Sequence, residues 1–200
     1  MSQTGVGVHI PAIVALNRSA TYAGYLVLLG VWTGCVSSAP LLVDLNTAEP
    51  RHAEKHIGGC IIHIAPVIDE RASRNDLGML GPQVIHGDNV IPWVQQAVDI
   101  LNPETNKNAG TDRVSASARQ VDIQFSLKRL YVHSLQTSMG ANILLVGHYR
   151  VDQGPPQSHL YRGSETSVNW TGSAASIVDL LDVAMDGIIA RMRADLLNLC

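Results

Sequence analysis

Between residues 119 and 127 apolar and polar positions alternate: Val121, Ile123, Phe125 and Leu127 share one face, and Asp122, Gln124 and Ser126 the other. That period of two predicts a half-buried strand. Lys128-Arg129 break the phase, and Leu130 and Val132 resume on even numbers. One extra residue that exchanges the two faces predicts a β-bulge. Thr137-Ser138-Met139-Gly140 predicts a turn, and residues 142–151 (NILLVGHYRV), apolar on both faces, predict a central strand. Residues 158–170 (SHLYRGSETSVNW) read as a more polar strand, suited to a sheet edge or bent at Gly163. Upstream, residues 57–65 (IGGCIIHIA) are β-branched and apolar on both faces and predict a well-buried first strand, with Pro66 at its margin.

Two stretches carry a helical period instead. Val90, Trp93, Val94, Ala97, Val98 and Leu101 recur at steps of three and four, with Asp88 or Asn89 as cap and Pro92 tolerated in the first turn. Ile177, Leu180, Leu181, Ala184, Ile188, Met192, Leu196 and Leu199 form the stripe of a longer helix capped by Ser173, with Gly187 weakening its middle. Residues 69–87 and 103–113 read as polar loops. The expected order is β-α-β-β-β-α: a two-layer α+β domain over residues 57–200, with a largely antiparallel sheet and both helices packed on one face.

Composition narrows the class. With 46% hydrophobic, 16% charged and 4% aromatic residues, the 200-residue chain has material for one aliphatic core. The formal net charge is −3, and there is no basic run. That argues against nucleic acid as the main partner and gives no polybasic membrane patch.

The N-terminal third suggests an address. Residues 20–31 form an apolar segment of 12, the length of a signal-peptide core of about 7–15 residues and short of the roughly 20 that span a bilayer. Trp32-Thr33-Gly34-Cys35 then resembles a bacterial lipobox, with small residues before the cysteine and Trp32 where the pattern prefers Leu. The expectation is a signal peptide at 1–34, lipidation of Cys35, and a tether at 35–56 broken by Pro40 and Pro50, in which Leu41-Leu42-Val43-Asp44-Leu45 forms an apolar cluster. Several acyl chains on one residue make a stable anchor, since each buried CH₂ adds about 0.8 kcal/mol. Val36-Ser37-Ser38 lacks the Asp that resembles an inner-membrane retention signal, which implies the outer membrane. With Cys35 given to lipid, Cys60 and Cys200 remain as a candidate disulfide in an oxidising compartment.

The lipobox-like WTGC, Val67-Ile68-Asp69-Glu70-Arg71, the segment 126–145 (SLKRLYVHSLQTSMGANILL) and YRGSETSVNW at 161–170 occur in an order that resembles the YajG-type family of bacterial outer-membrane lipoproteins. The resemblance implies an envelope lipoprotein without an established catalytic activity, and adds an address and a fold but no reaction.

Candidate chemistry is sparse. His52, His56, Cys60 and His63 have the ligand types of a zinc or copper site, but Cys60 and His63 fall on opposite faces of a strand, so no metal is expected. Asp69, Glu70, Arg71 and Arg74 form a candidate ligand or partner loop, against a salt-bridged, solvated alternative. No G-x-S-x-G, H-E-x-x-H or nucleotide-binding glycine pattern occurs, so neither a cofactor nor an enzyme is expected. The expected function is a lipid-anchored, periplasm-facing binding or assembly module that holds an envelope protein partner at a sheet edge or on the face the helices leave open, with strand 158–170 as the candidate surface. The alternative is an accessory lipoprotein that takes an amphiphile or a peptidoglycan-derived ligand in an apolar cleft between sheet and helices.

Overall fold

Residues 39–47, 60–102, 119–135, 137–168 and 172–200 are described in a computed structural model of the chain. They belong to one unit, Ser37–Cys200. In chain order the elements are β1 (Leu41–Asp44), a 3-10 turn (Leu45–Thr47), β2 (Cys60–Ile64), β3 (Ile68–Asp69), β4 (Asp76–Leu80), β5 (Gln83–Asp88), α1 (Val90–Asp99), β6 (Arg119–Leu135), β7 (Ser138–Val151), β8 (Gln157–Val168) and α2 (Ala174–Leu199). The eight strands form one sheet in the order β1-β5-β4-β6-β7-β8, and β2 and β3 also lie against β6.

The 17-residue β6 is the axis of this sheet. Along one side it pairs antiparallel with β7, from Val121↔Val151 to Leu135↔Ser138, and β7 pairs antiparallel with β8 in turn. Along the other side β2, β3 and β4 follow one another, all parallel to β6, at Ile62↔Val121, Ile68↔Ser126 and Met79↔His133. The register with β7 slips between Leu127 and Arg129, which places the bulge at Lys128. Val121, Ile123, Phe125 and Leu127 before it, and Leu130 and Val132 after it, are all buried, so the phase change in the sequence is the exchange of faces at the bulge.

The meander β6-β7-β8 and the two helices match the expected pattern, and the first strand does not. It is parallel to β6, which a chain can achieve only through a crossover of a dozen or more residues; residues 65–118, containing α1, supply it. Nor is it covered on both faces, because His63 is exposed while Cys60 and Ile62 are buried. Much of the expected loop at 69–87 is the hairpin β4-β5, turned at Gly81-Pro82. Gly78, at φ +126°, lies so close to β6 that a Cβ there would sit 1.9 Å from the Val132 carbonyl oxygen. Only glycine permits that approach. The segment 41–47, expected within the tether, is part of the sheet: β1 pairs parallel with β5, and Val43 and Leu45 are 1% exposed.

Both helices bury their stripes in the same core. Full burial of each Leu, Ile or Val side chain contributes about 1.5–3 kcal/mol. Asn89 stands at the N-cap of α1 in a left-handed conformation, but its side chain does not cap the helix; its Nδ2 donates to Asp44 Oδ1 at 2.8 Å and ties β1 to the helix start. Ser173 does cap α2, accepting from the Ser176 N–H at 3.1 Å. Trp93, 1% exposed, joins the helices by donating from Nε1 to Asp182 Oδ1 at 3.0 Å. α2 touches β7, β8 and β1, so it spans the sheet from one end to the other. It approaches β8 closely at Gly163, where a Cβ would meet the Ala184 carbonyl oxygen at 2.4 Å.

Candidate functional site

The alternation of the strands divides the expected site residues between two faces. Cys35, His52 and His56 lie outside the described residues. Cys60, at the start of β2, is joined by a disulfide to Cys200, the last residue after α2, with Cα atoms 5.4 Å apart. Arg119 donates from Nη1 to the Leu199 carbonyl at 3.0 Å in the same corner. The Cys60 sulfur is therefore committed, and His63 points from the opposite face. Among the described residues no three metal-ligating side chains converge.

Asp69, Glu70, Arg71 and Arg74 do come together, as a clasp on β6. Asp69 pairs with Leu127, and Arg71 is buried. Arg71 grips the Asp69 carboxylate with Nε and Nη2, each at 2.9 Å, and donates from Nη2 to the Arg74 carbonyl at 2.7 Å. The guanidinium, chiefly through these hydrogen bonds, holds the Asp69 carboxyl below the usual carboxylate range. Glu70 pairs with Lys128, the bulge residue, and its carboxyl is lowered chiefly by that contact. The charges at Asp69 and Glu70 are thus spent on closing the loop against the sheet. Arg71 Nη1 is buried without a hydrogen-bond partner among the described residues, and Arg74 is exposed.

A cluster that sequence reasoning missed lies under the C-terminal half of α2. Tyr149 on β7 donates to the Tyr161 hydroxyl on β8 at 2.8 Å, and Tyr161 donates to Asp195 Oδ2 at 2.7 Å. His159 Nδ1 stands 3.2 Å from the same carboxylate oxygen, and its ring stacks on Tyr161. Burial pushes the Tyr149 hydroxyl up to about 12; burial, with the adjoining Tyr149 and Asp195 hydrogen bonds, raises Tyr161 as well. Both phenols stay protonated at neutral pH, so the cluster pins β7 and β8 to α2 and offers no phenolate. Its only signals in the sequence are that Tyr149, His159 and Tyr161 share the core-facing phase of their strands and that Asp195 sits beside the apolar stripe of α2.

The space between sheet and helices, where the alternative reading placed an apolar cleft, is packed with buried side chains. A cleft of about 460 Å³ lies elsewhere, with His63, Asp122, Gln124, His148 and Arg150 among the residues around it. These five belong to the strand phase opposite the core, so the cleft opens on the outer face of the sheet; with Ile64, Ala65 and Pro156 also in its wall, most of its lining is apolar.

The third candidate, strand 158–170, is β8 over residues 157–168, and Trp170 lies outside the described residues. Among the described residues β8 pairs only with β7 and forms one end of the sheet. Hydrogen bonds from the Ala65 N–H to Ile123 O and from the Glu70 N–H to Leu127 O fix the phase of β6. Carried across β7, that phase turns the N–H and C=O of Ser158, Leu160, Arg162, Ser164, Thr166 and Val168 away from the sheet. Arg191 of α2 donates from Nη2 to the Arg162 carbonyl, as that phase requires. No proline or bulge interrupts this row, and Leu160 and Val168 are 60% and 68% exposed.

Neither a protein-family model nor a curated protein sequence matches the chain. Among solved structures, protein XCC0632 from Xanthomonas campestris, described by the family model DUF330, is similar at 13% identity and a TM-score of 0.50, covering 80% of this chain and 94% of its own. Lipoprotein GNA1162 from Neisseria meningitidis is matched at 10% identity and a TM-score of 0.26, covering 65% of this chain and 97% of its own. The likeness to the Xanthomonas protein is one of fold.

Proposed function

We propose that the protein is a lipid-anchored cell-envelope lipoprotein of the outer membrane, facing the periplasm, which binds or assembles a protein partner and catalyses nothing. The observation that carries the binding half is the open edge of β8. It offers a row of outward backbone donors and acceptors that no proline or bulge interrupts, which is what strand addition uses. The address rests on Trp32-Thr33-Gly34-Cys35 and on the YajG-type resemblance. Among the described residues no helix is long and apolar enough to cross a membrane, so on this reading Cys35 carries the attachment.

Two variants test the two halves. Cys35→Ser is expected to move the protein from the membrane fraction to the soluble envelope fraction; continued sedimentation with membranes contradicts the anchor. Ser164→Pro removes one outward N–H from the middle of β8, a position where an edge strand tolerates proline. It is expected to keep the melting behaviour of the parent and to lose its crosslinked partner in cells. A partner retained at parental yield contradicts β8 as the binding edge.

A further inference from the structure

Among the described residues, two charged groups beside the β8 edge lack an opposite. Arg191 donates to the carbonyls of Gly187 and Arg162 and meets no carboxylate among the described residues. Glu165, half-buried on the core-facing phase of β8, likewise has no ion-pair partner among the described residues. Both stand on the α2 side of the edge, one from the helix and one from the strand. Apolar side chains lie on the outer side, at Leu160 near one end of the edge and Val168 at the other.

A second β8 laid antiparallel along the first, about a two-fold axis, satisfies all four. Three central registers differ sharply. Centring on Arg162 sets two guanidinium groups opposite one another. Centring on Gly163 faces Leu160 with Thr166 and Glu165 with Tyr161. Centring on Ser164 faces Leu160 of each copy with Val168 of the other, Arg162 with Thr166, and Glu165 with Gly163. Gly163 follows the residue whose carbonyl receives Arg191, so Glu165 of one copy arrives beside Arg191 of the other. Apolar and opposite-charge cross-strand pairs each favour a pairing, and like charges oppose it.

We propose that two copies of this chain pair through β8, antiparallel and centred on Ser164, to form an isologous dimer with one continuous sheet. The proposal rests on the reading of β8 as the binding edge and names the partner as a second copy.

Ser164→Cys in the full-length chain, in its own membrane, tests it. Directly opposed hydrogen-bonded residues have Cα atoms about 5.5 Å apart, a spacing a disulfide spans. Mild oxidation is expected to yield a disulfide-linked dimer from Ser164→Cys. Ser158→Cys and the unsubstituted chain, which retains Cys35, Cys60 and Cys200, are expected to give none. On the Ser164→Cys background, Glu165→Arg or Arg191→Glu alone is expected to cut the dimer about tenfold, because like charges then face one another, and the two together to restore it.

A photo-crosslinker at Ser164 separates the failures. Adducts to a different protein, with no Ser164→Cys dimer, overturn the second copy and leave β8 a binding edge. No adduct and no dimer overturn both. A Ser164→Cys dimer that the paired charge reversal fails to restore overturns the pairing of Glu165 with Arg191.

Discussion

The two ends of the sheet are built to different specifications. At one end β1 has four residues and turns straight into the 3-10 turn. Asp44 accepts from the Asn89 side chain and the Asn46 N–H, contacts that in that order lower its carboxyl below the usual range. Gln83 donates from Nε2 to the Ala39 carbonyl at 2.8 Å just before the strand. At the other end β8 presents twelve residues; among the described residues Arg191 donates to the Arg162 carbonyl of its outward row and Ser167 Oγ to the Val168 carbonyl. Proteins blunt edges that must stay monomeric by shortening, bulging or covering them. β1 is short and bound in at both ends, and β8 is long and regular. The difference separates an edge that closes a fold from one suited to receiving a strand.

α2 reaches both ends, so freeing it disturbs the comparison most. Cys200→Ser opens a cross-link between residues 140 apart in sequence, and in the chain-entropy picture this removes about 4–5 kcal/mol, read as a lower urea midpoint for the whole domain. Next come the two glycines that set the close approaches. Gly78→Ala, on the β1 side, drives a methyl into the Val132 carbonyl at positive φ and is expected to cost roughly 3–4 kcal/mol. Gly163→Ala, on the β8 side, presses on α2 and is expected to cost about 1–3 kcal/mol. If Gly163→Ala proves the costlier, the packing of the two halves is misjudged.

The smallest effects come with pH, and the halves respond at opposite extremes. The Asp69 carboxyl is depressed in the fold, so its contribution is present above its unfolded value near pH 4 and is lost as pH falls through the folded value. Tyr149 is raised to about 12, so its contribution is complete below about pH 10 and is lost as pH rises through 12. Each group adds at most about 1.4 kcal/mol per pH unit to the slope of stability. Asp69→Asn is expected to flatten only the acid limb and Tyr149→Phe only the alkaline limb, measured by urea unfolding across pH.

How far this architecture could be read from the sequence depended on the range of the interaction. The alternation on β6, its phase break at Lys128 and the stripes of α1 and α2 are local, and they were legible. β3, with two residues, and the five- and six-residue β4 and β5, interrupted by Gly78, Gly81 and Gly87, are too short for a period to show. The parallel pairing of β2 with β6 joins residues nearly sixty apart and leaves no periodic trace. Asn89 sits where a cap was expected, yet its amide goes to Asp44, a distant competitor invisible to a local rule. The same holds for Asp69, Glu70, Arg71 and Arg74. Their charges were legible as a group, but which of them would be buried was decided by β6. The open edge was half legible, because the polarity of 158–170 announces an edge and its outward hydrogen-bonding phase depends on β7.

On the function proposed above β8, and not β1, is the working edge. Photo-crosslinking the full-length chain in its membrane from Leu160 and, separately, from Leu42 compares them directly, since the two are 60% and 64% exposed. A protein adduct from Leu160 with none from Leu42 is the expected result. An adduct from Leu42 with none from Leu160, or equal yields from both, contradicts it.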